Sequence, residues 1–537
     1  MIRAHLSFRV FLVPVLAIAL SAFAAPVGAV SATLVVDGDG MASAADCSAA
    51  DAAYSTIQDA VDAAASTDTV MVCPGVYDEQ VVIDSLDLTL QGSGNSTVIR
   101  PSSAAVLTDL YTYPAGTFFA GTVMASIILV KDSDAVTIKN LKVDGVDVTT
   151  LPAGSARVAG ILYGESGGTV NSATVTTMVV DGYTTRTYGI DLSAQGTART
   201  VDVKNSHITD WSRNGIQAMG GALTVDIHDN TLTGPGDTLN ASAVPNGILF
   251  IQDVDGNATS NVIHGMHTSV TTSRSAGILI YDPVTPGIVL DANNIYDTDD
   301  GILVGHDAND VLIFQNYLHD NLEVGVHLED GATDTTITAN LIEDNVLVGI
   351  RFAGAADPTT PDTPPGTGNV AHRNRIVGNG VGVADYDVQA FDAERNWWGD
   401  PSGPSGEGFG EGDAVSAGVT YESWCFNAAC TRLAFGGTDG PDTLFGTSSN
   451  DIIFGFDGDD EIYGLDGRDR LYGGLGADML FGGNGADVMY GFSGDDTLRG
   501  NAGPDRLFGN GGDDLLYGGK GADFCRGGTG SNTLSSC

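Results

Sequence analysis

The chain has 537 residues and a formal net charge of −45, with 68 Asp and Glu against 23 Lys and Arg. Its length suits two or three domains, and its charge argues against nucleic acid or an anionic membrane as a partner. Glycine is abundant at 72 residues while aromatic residues make up 7%, a composition typical of solenoids built from short strands and many turns.

The N-terminus predicts a secretory signal peptide over residues 1–24. Arg3 and Arg9 bracket a charged start, residues 10–24 are mostly apolar, and residues 22–24 (Ala-Phe-Ala) offer a small-x-small cleavage site. The apolar run is short for a bilayer. We therefore expect a mature protein that is secreted or held at the cell surface, without a membrane span.

Export permits disulfide bonds, and the chain has six cysteines. Six cysteines allow 15 connectivities, so the sequence leaves the pairing open. Proximity along the chain suggests three local pairs, which are Cys47 with Cys73, Cys425 with Cys430, and Cys525 with Cys537.

A short amphipathic helix is predicted near residue 57. Ser55 and Gln58 have the spacing of a capping box, with Ser55 at the N-cap. Apolar residues at 57, 60, 61 and 64 continue an i, i+3, i+4, i+7 stripe. With the segment that follows, this stretch (TIQDAVDAA…VMVCPGVY) resembles the N-terminal cap and first coil of right-handed parallel β-helix proteins of the pectate-lyase-like superfamily. In that case a Cys47–Cys73 bridge would fasten the cap to the coil.

A loose repeat then runs from about Gly160 to Trp398. One mark is Gly-Ile or Gly-Val opening a strand, at Gly160, Gly189, Gly215, Gly247, Gly277, Gly301, Gly325, Gly349 and Gly380. The other is an Asn before apolar residues, at Asn205, Asn230, Asn261, Asn294, Asn316, Asn340, Asn374 and Asn396. Two short strands per period, with a turn Asn that tolerates the left-handed conformation and bonds its neighbour, predict stacked parallel coils.

We therefore predict a right-handed parallel β-helix over residues 33–404. It closes at Asn396-Trp397-Trp398-Gly399, which resembles the NWWG…GP segment at the end of many secreted β-helix proteins. A Gly-rich connector over residues 405–436 follows.

Residues 437–535 form eleven nonapeptides without insertion or deletion. The sixth position is Asp in the first ten units, at Asp442, Asp451, Asp460, Asp469, Asp478, Asp487, Asp496, Asp505, Asp514 and Asp523. The eighth position is apolar or Cys throughout, and we expect it to point inward as the only regular core. Gly at the first and fourth positions would let the backbone turn through positive φ.

This pattern resembles the RTX (repeats-in-toxin) calcium-binding nonapeptide, G-G-x-G-x-D-x-U-x. The resemblance implies a parallel β-roll over residues 437–537, with two nonapeptides per coil and alternate Asp stacked about 4.8 Å apart. Unit charges that close repel by roughly 3 kcal/mol at an effective dielectric near 20. Ca²⁺ bound between turns by carboxylate and carbonyl oxygens would replace this repulsion with attraction. We therefore expect all ten Asp to be calcium ligands. The predicted fold class of the chain is all-β.

The β-helix offers candidate catalytic residues on its outer face. In each Gly-Ile strand the first and third residues after Gly should face inward and the second and fourth outward. The second, fourth and fifth positions then bring six residues onto neighbouring coils, namely Tyr281, Asp282, His306, His327, Glu329 and Arg351. A His or Tyr near an Arg can take the proton α to a uronate carboxylate while Arg neutralises the developing charge. The alternative is that these side chains only solvate an exposed polar face.

A β-helix followed by RTX repeats also resembles the architecture of mannuronan C5-epimerases. Their Tyr-Gly-Phe-Asp-Pro-His motif has its nearest match at residues 281–284 (Tyr-Asp-Pro-Val), which lack the His. Lys and Arg number only 15 between Ala25 and Gly436, few for gripping an anionic polymer. The favoured function is a secreted calcium-binding protein whose β-helix contacts extracellular carbohydrate or matrix. The alternatives are a polysaccharide lyase or C5-epimerase acting on a uronate polymer, and a purely structural surface or adhesion protein.

Overall fold

The computed structural model describes residues 31–37, 47, 54–148, 150, 153–176, 178, 186–236, 244–268, 274–282, 287–353, 364–386, 391–406, 408, 410–421 and 423–537. The predicted signal peptide of residues 1–24 lies outside them. Within this part of the chain, no helix is long and apolar enough to cross a membrane.

The predicted helix runs over Ile57–Ala63 and buries Ile57, Ala60 and Val61. Its N-cap is Thr56, whose hydroxyl accepts the Asp59 N–H at 3.1 Å. The prediction of Ser55 as N-cap was therefore wrong by one residue. The N–H groups of Ile57 and Gln58 donate to the carboxylate of Glu79, which lies outside the helix. The one-turn 3₁₀ segments Gly94–Ser96 and Ala104–Val106 are the other helical elements of the described chain.

Three parallel sheets form the β-helix, so a coil contributes up to three strands and not the two that the sequence predicted. Sheet A contains Thr33–Val36, Thr69–Val72, Thr89–Gln91, Val136–Lys139, Gly168–Asn171, Arg199–Lys204, Leu223–His228, Asp255–Thr259, Val289–Asp291, Leu312–Phe314, Thr336–Thr338, Val370–His372, Phe391–Asp392 and Val419–Thr420. Sheet B contains Gly75–Tyr77, Thr97–Ile99, Lys142–Asp144, Thr174–Thr176, His207–Thr209, Thr231–Thr233, Val262–Met266, Asn294–Thr298, Tyr317–His319, Leu341–Glu343 and Arg375–Val377.

Sheet C carries the Gly-Ile and Gly-Val strands. It contains Val81–Asp84, Val123–Lys131, Arg157–Gly164, Thr187–Ser193, Asn214–Met219, Asn246–Ile251, Ala276–Tyr281, Asp300–Gly305, Val324–Leu328, Val348–Phe352, Val381–Asp385, Gly412–Val415 and Pro404–Gly406, with Leu110–Thr112 added antiparallel. The inward residues of all three sheets merge into one continuous core, as expected when no coil can bury its face alone.

A buried asparagine ladder joins the coils at one turn. The members are Ser206, Asn230, Asn261, Asn293, Asn316, Asn340, Asn374 and Asn396. From Asn230 onward, each side-chain oxygen accepts the backbone N–H of the member one coil earlier, and from Asn261 onward it also accepts that member's side-chain amide. Asn205 and Asn294 were predicted in place of Ser206 and Asn293, and both predictions were wrong. The left-handed conformation belongs to the residue before the ladder, such as Ala292 at φ 54°.

The β-helix extends past its predicted end at residue 404. Gly412–Val415 and Val419–Thr420, in the expected connector, add strands to sheets C and A. Trp398 and Trp424 are both buried in the main core. The connector is thus largely a last coil of the solenoid.

The nonapeptides form a β-roll of two parallel sheets. One contains Leu433–Gly436, Ile452–Asp457, Arg470–Leu475, Val488–Ser493, Arg506–Gly511 and Phe524–Thr529, with Trp424–Cys425 of the last β-helix coil added antiparallel. The other contains Thr443–Phe445, Glu461–Tyr463, Asp466–Gly467, Met479–Gly485, Thr497–Ala502, Leu515–Lys520 and Thr533–Ser535. The eighth positions from Ile453 to Leu516 form the inner core, with Leu444 and Cys525 partly buried against it, which confirms their predicted direction. The prediction was wrong for Leu534 of the last repeat, which is exposed. From the third repeat onward, positive φ occurs at the Gly of the fourth position, as predicted, and at the residue of the second position, whereas it was expected at the Gly of the first.

All three expected disulfides are present, which confirms the pairing by proximity. They are Cys47–Cys73, Cys425–Cys430 and Cys525–Cys537. Cys73 directly follows the strand Thr69–Val72. The last bridge ties the inward side of the final coils to the C-terminal residue.

Candidate functional site

The repeat aspartates stack in two columns, because each lies beside the Asp eighteen residues away. In the interior of the roll the carboxylates are almost fully buried, as at Asp478 and Asp487. One oxygen of each accepts the backbone N–H of the preceding column member, for example Asp460 N–H to Asp478 Oδ1 at 3.0 Å. The other oxygen has no hydrogen-bond partner among the described residues at Asp460, Asp469, Asp478, Asp487, Asp496, Asp505, Asp514 and Asp523.

Each unpartnered oxygen faces a space kept open by the first Gly of its own repeat. A Cβ added to Gly464 would lie 2.5 Å from both Asp469 Oδ2 and the Gly482 carbonyl oxygen. A Cβ on Gly500 would lie 2.4 Å from both Asp505 Oδ2 and the Gly518 carbonyl oxygen. The first Gly is therefore required for space, not for φ, and the space it leaves is lined by oxygens of two successive turns.

Burial makes these carboxylates poor at holding a charge in the absence of a cation. Desolvation, together with neighbouring Asp charges, raises the pKa of Asp469 and Asp496 to about 7, and desolvation raises that of Asp478 to about 6. A hard divalent cation favours such oxygen ligands and would offset both costs. The residues present thus fit Ca²⁺, with one carboxylate and backbone carbonyls as donors. Side chains alone do not form such a site, since no group of three or more His, Cys, Asp or Glu in the described chain is placed to hold a metal.

Part of the outer face of sheet C is covered, contrary to the exposed face expected from the sequence. Leu110–Thr112 pairs with Val123–Lys131, and Tyr111 and Tyr113 pack with Leu162 and Tyr188 in a second apolar cluster outside the main core. His327 and Arg351 do not belong to the main core and point away from it. They are nevertheless only 0% and 2% exposed.

His327 pairs with an aspartate that the sequence analysis had not selected. Its Nδ1 lies 2.8 Å from Asp300 Oδ2, and both side chains are fully buried. With Asp300 ionised, Nδ1 donates, and the lone pair of neutral His327 is then on Nε2. This Nε2 has no hydrogen-bond partner among the described residues and lies 3.7 Å from Glu329 Oε2.

Cations line the same face. Arg351 is paired in register with His327 on the next strand. Arg274 Nη1 lies 3.7 Å from Asp300 Oδ1 and also bonds Glu323. Although the sequence of the β-helix contains few basic residues, this face therefore brings two arginines close to one His–Asp pair.

The other three predicted residues form a separate, partly exposed group. The Tyr281 and His306 rings stack with centroids 3.9 Å apart, and His306 Nε2 lies 3.5 Å from Asp330. Burial raises the pKa of both Tyr281 and Asp282. Glu329 lies against Gly305, on the coil next to Tyr281, so it stands between this group and His327.

A second buried polar cluster on sheet C was missed. Asp191 is fully buried and accepts hydrogen bonds at one oxygen from Tyr113, at 2.8 Å, and Gln217, at 2.6 Å. Burial raises its pKa to about 7. Arg157 donates to Tyr188 at 2.7 Å beside it. Residues 188–191 (Tyr-Gly-Ile-Asp) match three positions of Tyr-Gly-Phe-Asp-Pro-His, a closer match than residues 281–284, but also lack the His.

Comparison with known proteins agrees with the two-part fold. A family model for a right-handed β-helix region matches residues 188–396, and one for the RTX calcium-binding nonapeptide repeat matches 436–471, 472–507 and 499–534. These matches and the sheets define the class: a right-handed parallel β-helix. The chain joins that β-helix to an RTX β-roll. No curated protein matches it.

Solved structures with similar folds include three β-helix proteins. The A-module of mannuronan C-5 epimerase AlgE4 from Azotobacter vinelandii is 17% identical over 68% of this chain and 92% of its own, with a TM-score of 0.44. The Dettilon tailspike protein is 14% identical over 66% and 69%, with a TM-score of 0.41. The lacto-N-biosidase of Eubacterium ramulus is 13% identical over 66% and 64%, with a TM-score of 0.40.

Proposed function

We propose that this is a secreted calcium-binding protein that binds Ca²⁺ through its RTX β-roll. The observation that carries the proposal is the double column of buried carboxylates whose second oxygen has no partner in the described chain and faces a Gly-bounded, oxygen-lined space. Without a cation these buried charges would repel along each column.

The test is hydrogen exchange of the full-length protein in chelator and during a calcium titration. The roll has one inward apolar residue per nine, too little to offset the entropy of ordering about a hundred residues. We expect amides of residues 455–535 to exchange quickly in chelator and to become protected together near 10⁻⁴ to 10⁻³ M Ca²⁺, the range of extracellular modules. Equal protection in chelator and in millimolar Ca²⁺ would refute the proposal.

We further infer that the β-helix contacts extracellular carbohydrate or matrix through the outer side of sheet C. Three arginines on this side, the buried Arg157 and Arg351 and the partly buried Arg274, suit carboxylate groups of an acidic polymer because guanidinium bonds them in a bidentate manner. Binding assays with uronate polymers and with neutral glycans of similar length test this inference. Binding of the neutral glycans alone would exclude these arginines as the basis of the contact, and binding of neither set would count against the inference itself.

The second candidate function is a lyase or C5-epimerase acting on a uronate polymer, favoured by the His327–Asp300 pair. Neutral His327 Nε2 would take the proton α to the carboxylate, and Arg351 beside it would neutralise the charge that develops. Because His327 is fully buried, substrate would first have to displace part of its cover.

The test uses His327→Gln and Asp300→Asn, which keep side-chain size. Loss of unsaturated or epimerised product with an unchanged melting temperature would favour the enzyme. Absence of product with the wild-type protein on every polymer would favour binding or a purely structural role.

A further inference from the structure

The first two repeats hold their aspartate differently from the eight that follow. Asp442 Oδ2 accepts two hydrogen bonds from Thr438, at 2.6 Å from the backbone N–H and 2.9 Å from the hydroxyl. Asp451 Oδ2 accepts the same two from Thr447, at 2.6 and 3.0 Å. A carboxylate oxygen offers about two lone pairs. These bonds therefore occupy the oxygen that is unpartnered, within the described chain, from Asp460 to Asp523.

The backbone at the second repeat position changes at the same point. From the third repeat onward this residue has φ between 70° and 130°, at Phe456, Leu465, Gly474, Gly483, Phe492, Asn501, Asn510, Gly519 and Gly528. Thr438 and Thr447 do not belong to the positive-φ residues of the described chain. A β-branched side chain is among the least tolerant of that region. Threonine thus keeps the local backbone in the conformation that turns its N–H toward the carboxylate.

We propose that Asp442 and Asp451 are not calcium ligands, and that threonine at the second repeat position closes each site by supplying the hydrogen bonds that a cation would replace. This inference rests on the proposed calcium function. Calcium binding then begins at Asp460, and the second residue of a nonapeptide decides whether its aspartate is available to the metal.

The two closed repeats can serve as a metal-independent template for the open ones. The backbone N–H groups of Asp442 and Asp451 donate to Asp460 Oδ1 and Asp469 Oδ1, both at 2.9 Å. Ile452, in the second repeat, belongs to the same core as Trp424 of the last β-helix coil. The closed repeats therefore join the β-helix to the first two carboxylates that would take calcium.

The experiment is direct metal analysis and calorimetric titration of the full-length protein and four variants. Asp451→Asn should leave the number of bound Ca²⁺ ions unchanged, whereas Asp505→Asn should lower it. Asn501→Thr, which places threonine before Asp505, should also lower it, and its control Asn501→Gly should not. Asparagine is tolerated in these columns, because Asn532 Oδ1 accepts the Asp514 N–H at 2.8 Å.

Three outcomes would overturn the inference. If Asp451→Asn removes as many ions as Asp505→Asn, the first repeats are open sites. If Asn501→Thr binds as many ions as Asn501→Gly, threonine does not close a repeat. If the wild-type protein binds no calcium, the proposed function fails together with this inference. Either of the first two results overturns this inference alone and leaves the proposed calcium function standing.

Discussion

The buried carboxyl group of Asp191 should make the stability of the β-helix depend on pH. Its pKa is raised by burial from 3.8 to about 7. Between about pH 4 and pH 7 the unfolded chain has released this proton while the folded protein keeps it. Stability therefore falls as pH rises through this range, and the loss is complete above pH 7.

Asp191→Asn should remove that loss, because a neutral amide of the same shape can accept from Tyr113 and Gln217. We expect the variant to melt at a higher temperature than wild type at pH 8 and near the same temperature at pH 4, by differential scanning calorimetry. A variant that is less stable at pH 8 would mean that the charge is stabilised in the folded protein.

Two adjacent asparagines separate a ladder role from a surface role. Asn293 accepts from Asn261 and donates to the Ala258 carbonyl at 2.8 Å inside the core, whereas Asn294 is only half-buried. Asn293→Ala should leave buried groups on the neighbouring coils unpaired and cost on the order of 3 kcal/mol. Asn294→Ala should cost no more than about 0.5 kcal/mol. Urea denaturation of both variants in calcium checks the difference, and equal costs would rule out the ladder as a main source of stability.

At the scale of single elements, the first Gly of each repeat permits a direct test of the calcium space. A Cβ on Gly473 would lie 2.3 Å from Asp478 Oδ2, whereas a Cβ on Gly511 meets nothing nearer than 3.4 Å. Gly473→Ala should therefore raise the calcium concentration needed to fold the roll, and Gly511→Ala should leave it nearly unchanged. Circular dichroism during calcium titration of the full-length variants measures both midpoints, and equal midpoints would place the metal elsewhere.

The elements that the sequence predicted best are those whose residues repeat at a fixed distance. Asp at the sixth position and the apolar eighth position keep strict register over the nonapeptides, and the structure stacks them as expected. The looser repeat of the β-helix coils does not fix the register. For that reason the sequence placed the ladder residue at Asn294, one residue after its position at Asn293. The burial of part of the outer face of sheet C could not be predicted, because the residues near Tyr111 that cover it are far away in sequence. Asp300 was missed because it lies before the Gly of its strand, where only the following residues were considered.

At the scale of the whole molecule, the β-helix and the roll share a core at their junction. The Trp424 ring lies 5.8 Å from that of Phe454, and its Nε1–H donates to the Pro401 carbonyl at 3.0 Å. The hydrogen bonds and apolar core of the β-helix need no metal. Calcium should therefore control the roll without controlling the β-helix, and the boundary between the two behaviours should lie within the first repeats.

Limited proteolysis of the full-length protein locates that boundary. In chelator we expect a protected fragment that retains the β-helix and ends beyond Asp451, because the first two repeats are closed by threonine and packed near Trp424. In millimolar Ca²⁺ protection should extend to Cys537. Mass spectrometry of the fragments gives both ends. Cleavage in chelator between residues 412 and 430 would show that the last β-helix coil itself depends on the calcium-loaded roll, because its strands then open when the roll unfolds.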